Sequence, residues 1–253
     1  MILLLALGVL AATVACVPTC SWSWLPLGLG GGCRGRLDED TLSRLSLVMG
    51  DTIQLQPGDT WEFSPGVVEC CYVFEPVDTC ATWSVSPTAG ATIDPETGLF
   101  SVDPGTASGA EFTVTADVEN GRRLVSAQVY VYTPEANPLV GVWREQAQFA
   151  CGSDEELVPE ERIGELVFGA DEGFSVTWHP FEIYKDYWGT YTFDLSQGTL
   201  ELTGAEGNYI PEDLDGSGSW AIDEQGRLVL KDMWLGSPMG SSGSANCGHR
   251  FAR

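Results

Sequence analysis

The chain has 253 residues, enough for one or two domains; 43% are hydrophobic and the mean hydropathy is 0.00, which excludes a disordered tail and a polytopic membrane protein. Lys and Arg number 12 against 36 Asp and Glu, a net charge of −24. That excess excludes a nucleic-acid binder, whose phosphate affinity comes from clustered cations, and a polybasic membrane-surface protein.

Ile2–Ala15 is an uncharged, mostly apolar run ending at Cys16. As a helix it would be about 21 Å long, short of the ~30 Å hydrocarbon core, which predicts a secretory signal in residues 1–15 rather than a membrane span. Thr13-Val14-Ala15-Cys16 resembles a bacterial lipobox. The resemblance implies diacylation of the Cys16 thiol and a membrane-anchored lipoprotein on the extracytoplasmic side of the cell envelope. Thr13 stands where an aliphatic residue is usual, and no Lys or Arg precedes the run; ordinary cleavage near Ala15 would give a secreted product instead. Residues 16–44 read as a tether, because Pro18, Gly28–Gly32 and the charged Arg34–Asp40 stretch carry no sustained period. Trp22 and Trp24 either sit at the headgroup level or pack on the next domain.

Cysteine usage agrees with export. Cys16, Cys20, Cys33, Cys70, Cys71, Cys80, Cys151 and Cys247 include no Cys-x-x-Cys, and His179 and His249 are the only histidines. A zinc knuckle or thioredoxin-type site is not expected, and no metal or cofactor is. Spacing suggests Cys70 or Cys71 with Cys80, Cys151 with Cys247, and Cys20 with Cys33. If Cys16 carries lipid, one thiol is left over.

Residues 45–134 break into short alternating strands. Phe112, Val114, Ala116 and Val118 share one face, as do Val125, Ala127, Val129 and Val131, and Asn120-Gly121 lies between the two runs. Alternation on both sides of Asn-Gly predicts a β-hairpin. Further strands at 81–85 and 99–102 complete a β-sandwich. Thr82-Trp83-Ser84-Val85-Ser86-Pro87, Ala91-Thr92-Ile93-Asp94 and Gly98-Leu99-Phe100 resemble bacterial immunoglobulin-like domains of the group 2 type. That resemblance implies a stalk, spacer or adhesive module.

Residues 138–253 carry alternating segments at 139–150, 163–169, 173–179, 187–193, 198–203, 217–223, 226–233 and 246–252, with turns at Glu172-Gly173, Gln197-Gly198 and Gln225-Gly226. The whole chain is thus expected to be all-β, a sandwich followed by an eight-stranded up-and-down barrel. Gly141-Val142-Trp143 is similar to the opening of lipocalins and their calycin relatives. In that family the first-strand Trp packs under a basic residue from the last strand, a role for Arg250 or Arg253. Cys151 and Cys247 would then tie neighbouring strands of a closed barrel. The short unit implies a filled interior as readily as a ligand cavity.

Three features bear on chemistry. Asp213-Leu214-Asp215-Gly216-Ser217-Gly218 with Glu224 has the spacing of a calcium loop, but Pro211 and the strand-like Trp220–Ile222 favour an acidic β-turn. Trp178, His179, Tyr184, Tyr187 and Trp188 cluster around one inter-strand loop; they would line the mouth if the barrel is open, but barrel-end packing with ordinary strand aromatics is the favoured reading. No hydrolase, metalloprotease or phosphate-loop motif occurs. These observations predict a monomeric, non-catalytic surface binding or interaction module, for a protein, glycan or small apolar partner. A carrier or sensor of a small apolar ligand is the second expectation, and an enzyme using paired carboxylates the third.

Overall fold

The computed structural model describes residues 36–48, 52–69, 73–153, 155–181, 183–239 and 246–253. The expected signal segment, Cys16, Cys20, Trp22, Trp24, Cys33, Cys70 and Cys71 lie outside the described residues.

Helix α1, Glu39–Arg44, starts at Asp38, whose carboxylate accepts a hydrogen bond from the Thr41 amide at 2.7 Å. Its buried residue, Leu42, joins Leu45, Leu47 and Val48 in the first core. Residues 36–44 therefore belong with the first folded unit rather than with a tether. One buried apolar side chain in a six-residue helix leaves no period to detect. Arg122 secures this segment: it donates to the Leu37 carbonyl at 2.9 Å and pairs with Glu39 and Glu119. Glu119 in turn accepts from the Leu37 amide at 2.6 Å.

The strands that follow are β1 Leu45–Ser46, β2 Thr52–Leu55, β3 Thr60–Glu62, β4 Gly66–Glu69, β5 Val73–Pro76, β6 Ala81–Ser86, β7 Ala91–Ile93, β8 Leu99–Val102, β9 Glu111–Val118 and β10 Arg123–Val131. They form the sheets β2-β10-β9-β6, β3-β8-β7 and β1-β4-β5. The predicted faces of β9 and β10 are buried, and the register sets Ala116 opposite Val125, Val114 opposite Ala127 and Phe112 opposite Val129. Asn120 and Gly121 turn the chain at φ 58° and 88°, the left-handed region these two residues tolerate best. Phe63, Trp83, Phe100 and Phe112 fill the space between sheets, with ring centroids 5.9 to 6.2 Å apart.

From Gly141 the strands are β11 Gly141–Ala150, β12 Glu156–Leu157, β13 Glu165–Phe168, β14 Gly173–Thr177, β15 Tyr187–Asp194, β16 Thr199–Gly207, β17 Ser217–Ile222, β18 Leu228–Lys231 and β19 Asn246–Ala252. Around the sheet β11 is followed by β13 to β19 in chain order, each neighbour antiparallel. β19 then pairs back onto β11, with Arg144 opposite Ala252 and Gln148 opposite His249. The result is a closed eight-stranded up-and-down barrel, and β12 is a two-residue addition to β11. Closure leaves the barrel strands without an open sheet edge. Each predicted segment matches one barrel strand.

A meander reverses at every connection, so its connections alternate between ends. The turns at 169–172, 195–198 and 223–227 lie at one end with Pro138 and Arg253. The connections at 151–164, 178–186, 208–216 and from 232 onward lie at the other, here called the free end. The sandwich meets the first end, where the Ala170 amide donates to Gln54 Oε1 at 2.7 Å. Asn137, between the two cores, donates to the Tyr191 hydroxyl there at 2.8 Å.

Candidate functional site

The sandwich-side end of the barrel is sealed by Trp143. Alternation along β11 turns this ring inward to 1% exposure. Its indole N–H donates to the Leu139 carbonyl at 2.6 Å, and the Arg253 guanidinium lies 4.7 Å from the ring centre. Arg253 also donates to the carbonyls of Pro138 and Val140 at 3.0 and 3.2 Å. Of the two arginines expected as candidates, Arg253 covers the tryptophan. Arg250 instead pairs with Glu156 and lies 5.2 Å from the Phe149 ring centre. At the same end, Phe168 meets Tyr191 edge-on at 4.8 Å, and the Tyr191 hydroxyl donates to the Gly169 carbonyl at 2.7 Å. Burial pushes that hydroxyl up to about 12.

Deeper in the barrel lies a buried acid–base pair, Glu145 and His249. Glu145 Oε1 is 2.6 Å from His249 Nδ1, and both side chains have 0% exposure. Glu145 Oε2 accepts from the Ile163 amide at 2.9 Å, and His249 Nε2 accepts from the Leu235 amide at 3.1 Å. Because Nε2 is an acceptor, the ring proton sits on Nδ1 and is donated to the carboxylate. Trp234 stacks on the imidazole at 4.5 Å. The pair thus pins two loop amides, at 163 and 235, to the barrel wall. The sequence carried a signal for it: Trp143-Glu145-Ala147-Phe149 and Cys247-His249-Phe251 share the inward period, so a charged and a titratable side chain fall on core positions.

At the free end the expected aromatic mouth divides. Trp178 and Tyr187 are buried at 5% and 0% exposure, with ring centroids 6.1 Å apart. The Tyr187 hydroxyl donates to the Leu235 carbonyl at 2.7 Å, and Tyr209 packs on Trp178 while donating to the Ser237 carbonyl at 2.9 Å. Among the described residues these rings are packed into the barrel end. Trp188 faces outward and donates to Glu206 at 2.9 Å. His179 is exposed, and Tyr184 stacks on Phe181 at 4.7 Å while donating to Asp186 at 3.1 Å. Asp186 also accepts from the Trp178 amide at 2.8 Å. The physical reason for the division is the two-residue period: Tyr187 points in, so its neighbour Trp188 must point out.

The acidic 213–224 segment does not close into a calcium loop. Asp213 accepts from the Ser237 amide, the Ser237 hydroxyl and the Trp234 indole at 2.9, 2.6 and 3.0 Å. Burial raises its carboxyl, and the three donors outweigh that and hold it below 3.8. Glu224 lies across β17, at the opposite end of the barrel. Asp213 is a clamp that joins the 208–216 and 232–239 loops. Among the described residues no group of three or more His, Cys, Asp or Glu could hold a metal ion.

A disulfide joins Cys151 and Cys247 with Cα atoms 4.7 Å apart, between the end of β11 and the start of β19. Cys80 is also disulfide-bonded, and Cys71, its expected partner, lies outside the described residues. On the outer wall a groove of about 390 Å³ carries Asp194 and Glu201. Asp194 is occupied by the Ser196 hydroxyl and the Ser196 and Gln197 amides, which hold it below its ordinary value.

No family model matches the chain, and no curated protein is similar to it. Among solved structures, a protein of unknown function from Bacteroides ovatus matches at 10% identity, over 82% of this chain and 90% of that one, with a TM-score of 0.24. A TM-score that low leaves the fold resting on the strand order and register described above, and on those grounds the chain is an all-β protein with a closed eight-stranded barrel.

Proposed function

We propose that the protein is an exported, monomeric cell-envelope component, anchored through a lipid on Cys16, whose barrel is a non-catalytic surface binding module carried on an immunoglobulin-like sandwich. One observation carries the reading: among the described residues the inward side chains of the barrel are buried, with Trp143 at one end and Trp178 and Tyr187 toward the other, which directs contact with a partner to the outer surface. Trp143, Leu166, Phe168, Tyr191, Leu200 and Leu228 are all at 2% exposure or less. The Cys151–Cys247 bridge supports an oxidising compartment. The parallel pairing of β2 with β10 and the β9–β10 hairpin support the immunoglobulin-like reading of the sandwich.

Two measurements test it. In a bacterial host the protein should fractionate with membranes and carry the mass of a lipid, and Cys16→Ser should release it; equal solubility of both forms defeats the anchor. A surface module with a filled barrel should show no rise in melting temperature with neutral long-chain alcohols. A saturable rise would instead make the barrel a carrier of small apolar ligands.

A further inference from the structure

The exposed apolar side chains of the barrel are unevenly placed. Val158, Phe181, Ile183, Ile210 and Met239 all project from free-end loops, with exposures from 43% to 80%. Elsewhere on the barrel Val142, Leu195 and Ile222 are exposed singly, as is ordinary for a surface. The free-end loops are braced against one another. Asn208 donates to the Lys185 carbonyl at 2.8 Å, and Tyr209 donates to the Ser237 carbonyl at 2.9 Å. The apolar tips at 181, 183, 210 and 239 therefore sit on a rim of loops tied to one another. Around it Glu155, Glu160, Glu161, Glu206, Glu212 and Asp215 are exposed. The segments 151–164, 178–186 and 208–216 contain no Lys or Arg except Arg162 and Lys185.

An apolar rim ringed by carboxylates is complementary to one kind of surface. A second copy would bring like charge to like charge. A bilayer would want an excess of Lys, Arg and Trp at headgroup level, whereas here Arg162 and Lys185 are outnumbered by the exposed carboxylates, and anionic lipid would be repelled. The rim also lies at the far end of the barrel from the sandwich. Leu37 sits by the 119–122 turn, at the end of β10 opposite the one that leads into the barrel. We infer that the free end of the barrel docks a cationic amphipathic protein segment, apolar side chains flanked by lysine or arginine. The inference rests on the surface-module reading and names the partner's chemistry.

The test uses the full chain and a fluorescently labelled amphipathic helical peptide of leucine and lysine, followed by anisotropy. Binding should saturate and weaken about tenfold as salt rises from about 50 to about 300 mM. It should also weaken about tenfold or more in Phe181→Ser/Ile183→Ser, whose exposed sites leave circular dichroism and melting unchanged. Leu195→Ser, at the opposite end, should leave binding intact. Absence of binding overturns the inference, as does binding indifferent to the Phe181→Ser/Ile183→Ser change, which would report only general acidity. Rim-dependent partition onto neutral phosphatidylcholine vesicles without peptide binding overturns it in favour of a membrane. If the peptide fails while long-chain alcohols still leave the melting unmoved, the surface-module reading stands and the partner class alone falls.

Discussion

Arg253 lies 4.7 Å from the ring centre of Trp143 and donates to the two carbonyls, at 138 and 140, that lead into the first barrel strand. One side chain thus closes the barrel floor and fixes the entry of β11. Trp143→Ala should destabilise the barrel by about 3–5 kcal/mol, the range for large aromatic truncations in a core. Arg253→Met, which keeps the aliphatic stem but removes the charge and donors, should cost about 1–2 kcal/mol. Urea unfolding followed by tryptophan fluorescence checks both.

The Glu145–His249 pair should behave as a unit. Removing one partner leaves the other buried and unmatched, so Glu145→Leu or His249→Leu should each cost about 3–5 kcal/mol. The double variant should cost clearly less than the sum, because the two side chains touch and share the penalty. Additive losses in a double-mutant cycle would mean that the pair's hydrogen bond is energetically idle.

Reduction of Cys151–Cys247, which spans 96 residues, should lower barrel stability by about 2–5 kcal/mol. Cys151→Ser/Cys247→Ser should reproduce that loss without a reductant. Melting in dithiothreitol compared with the serine variant separates this bridge from the one that engages Cys80.

The pH dependence has opposite signs at the two ends of the scale. Asp213 has a native value below its ordinary 3.8, so its contribution is present above that value and is lost as the pH falls through the native one. Asp213→Asn should flatten the acid limb of melting temperature against pH below about 4. Tyr191 is the reverse: its native value of about 12 stands above the ordinary 10.0, so its stabilisation is complete below 10 and is lost as the pH rises toward 12. Tyr191→Phe should flatten the alkaline limb, and phenolate absorbance in the wild type should report delayed ionisation of this hydroxyl.

The barrel was legible because each strand announces itself within a few residues: alternation sets the inward face, and Glu-Gly or Gln-Gly marks three of the reversals. Gly198 and Gly226 adopt positive φ at two of the predicted turns, and Glu172 does so at the third. What stayed hidden depends on closure. Glu145 and His249 lie 104 residues apart, so nothing local links them until β19 meets β11. Barrel-end packing of the aromatic cluster is the reading the sequence favours; which loops cover Trp178 and Tyr187 is not legible, because the long 208–216 and 232–239 connections carry little periodic signal.

Closure of β19 onto β11 also sets an order of events in time. The first barrel strand waits for a partner encoded about a hundred residues later, and until that partner arrives the sheet is an open ribbon with an acidic residue, Glu145, facing its unfinished core. A chain still being synthesised therefore cannot complete this domain strand by strand. The sandwich, whose β9–β10 hairpin forms from adjacent residues, is free to assemble first. Loss of the β19 segment alone would leave an open sheet with Glu145 unpartnered at a core position rather than a slightly weakened barrel.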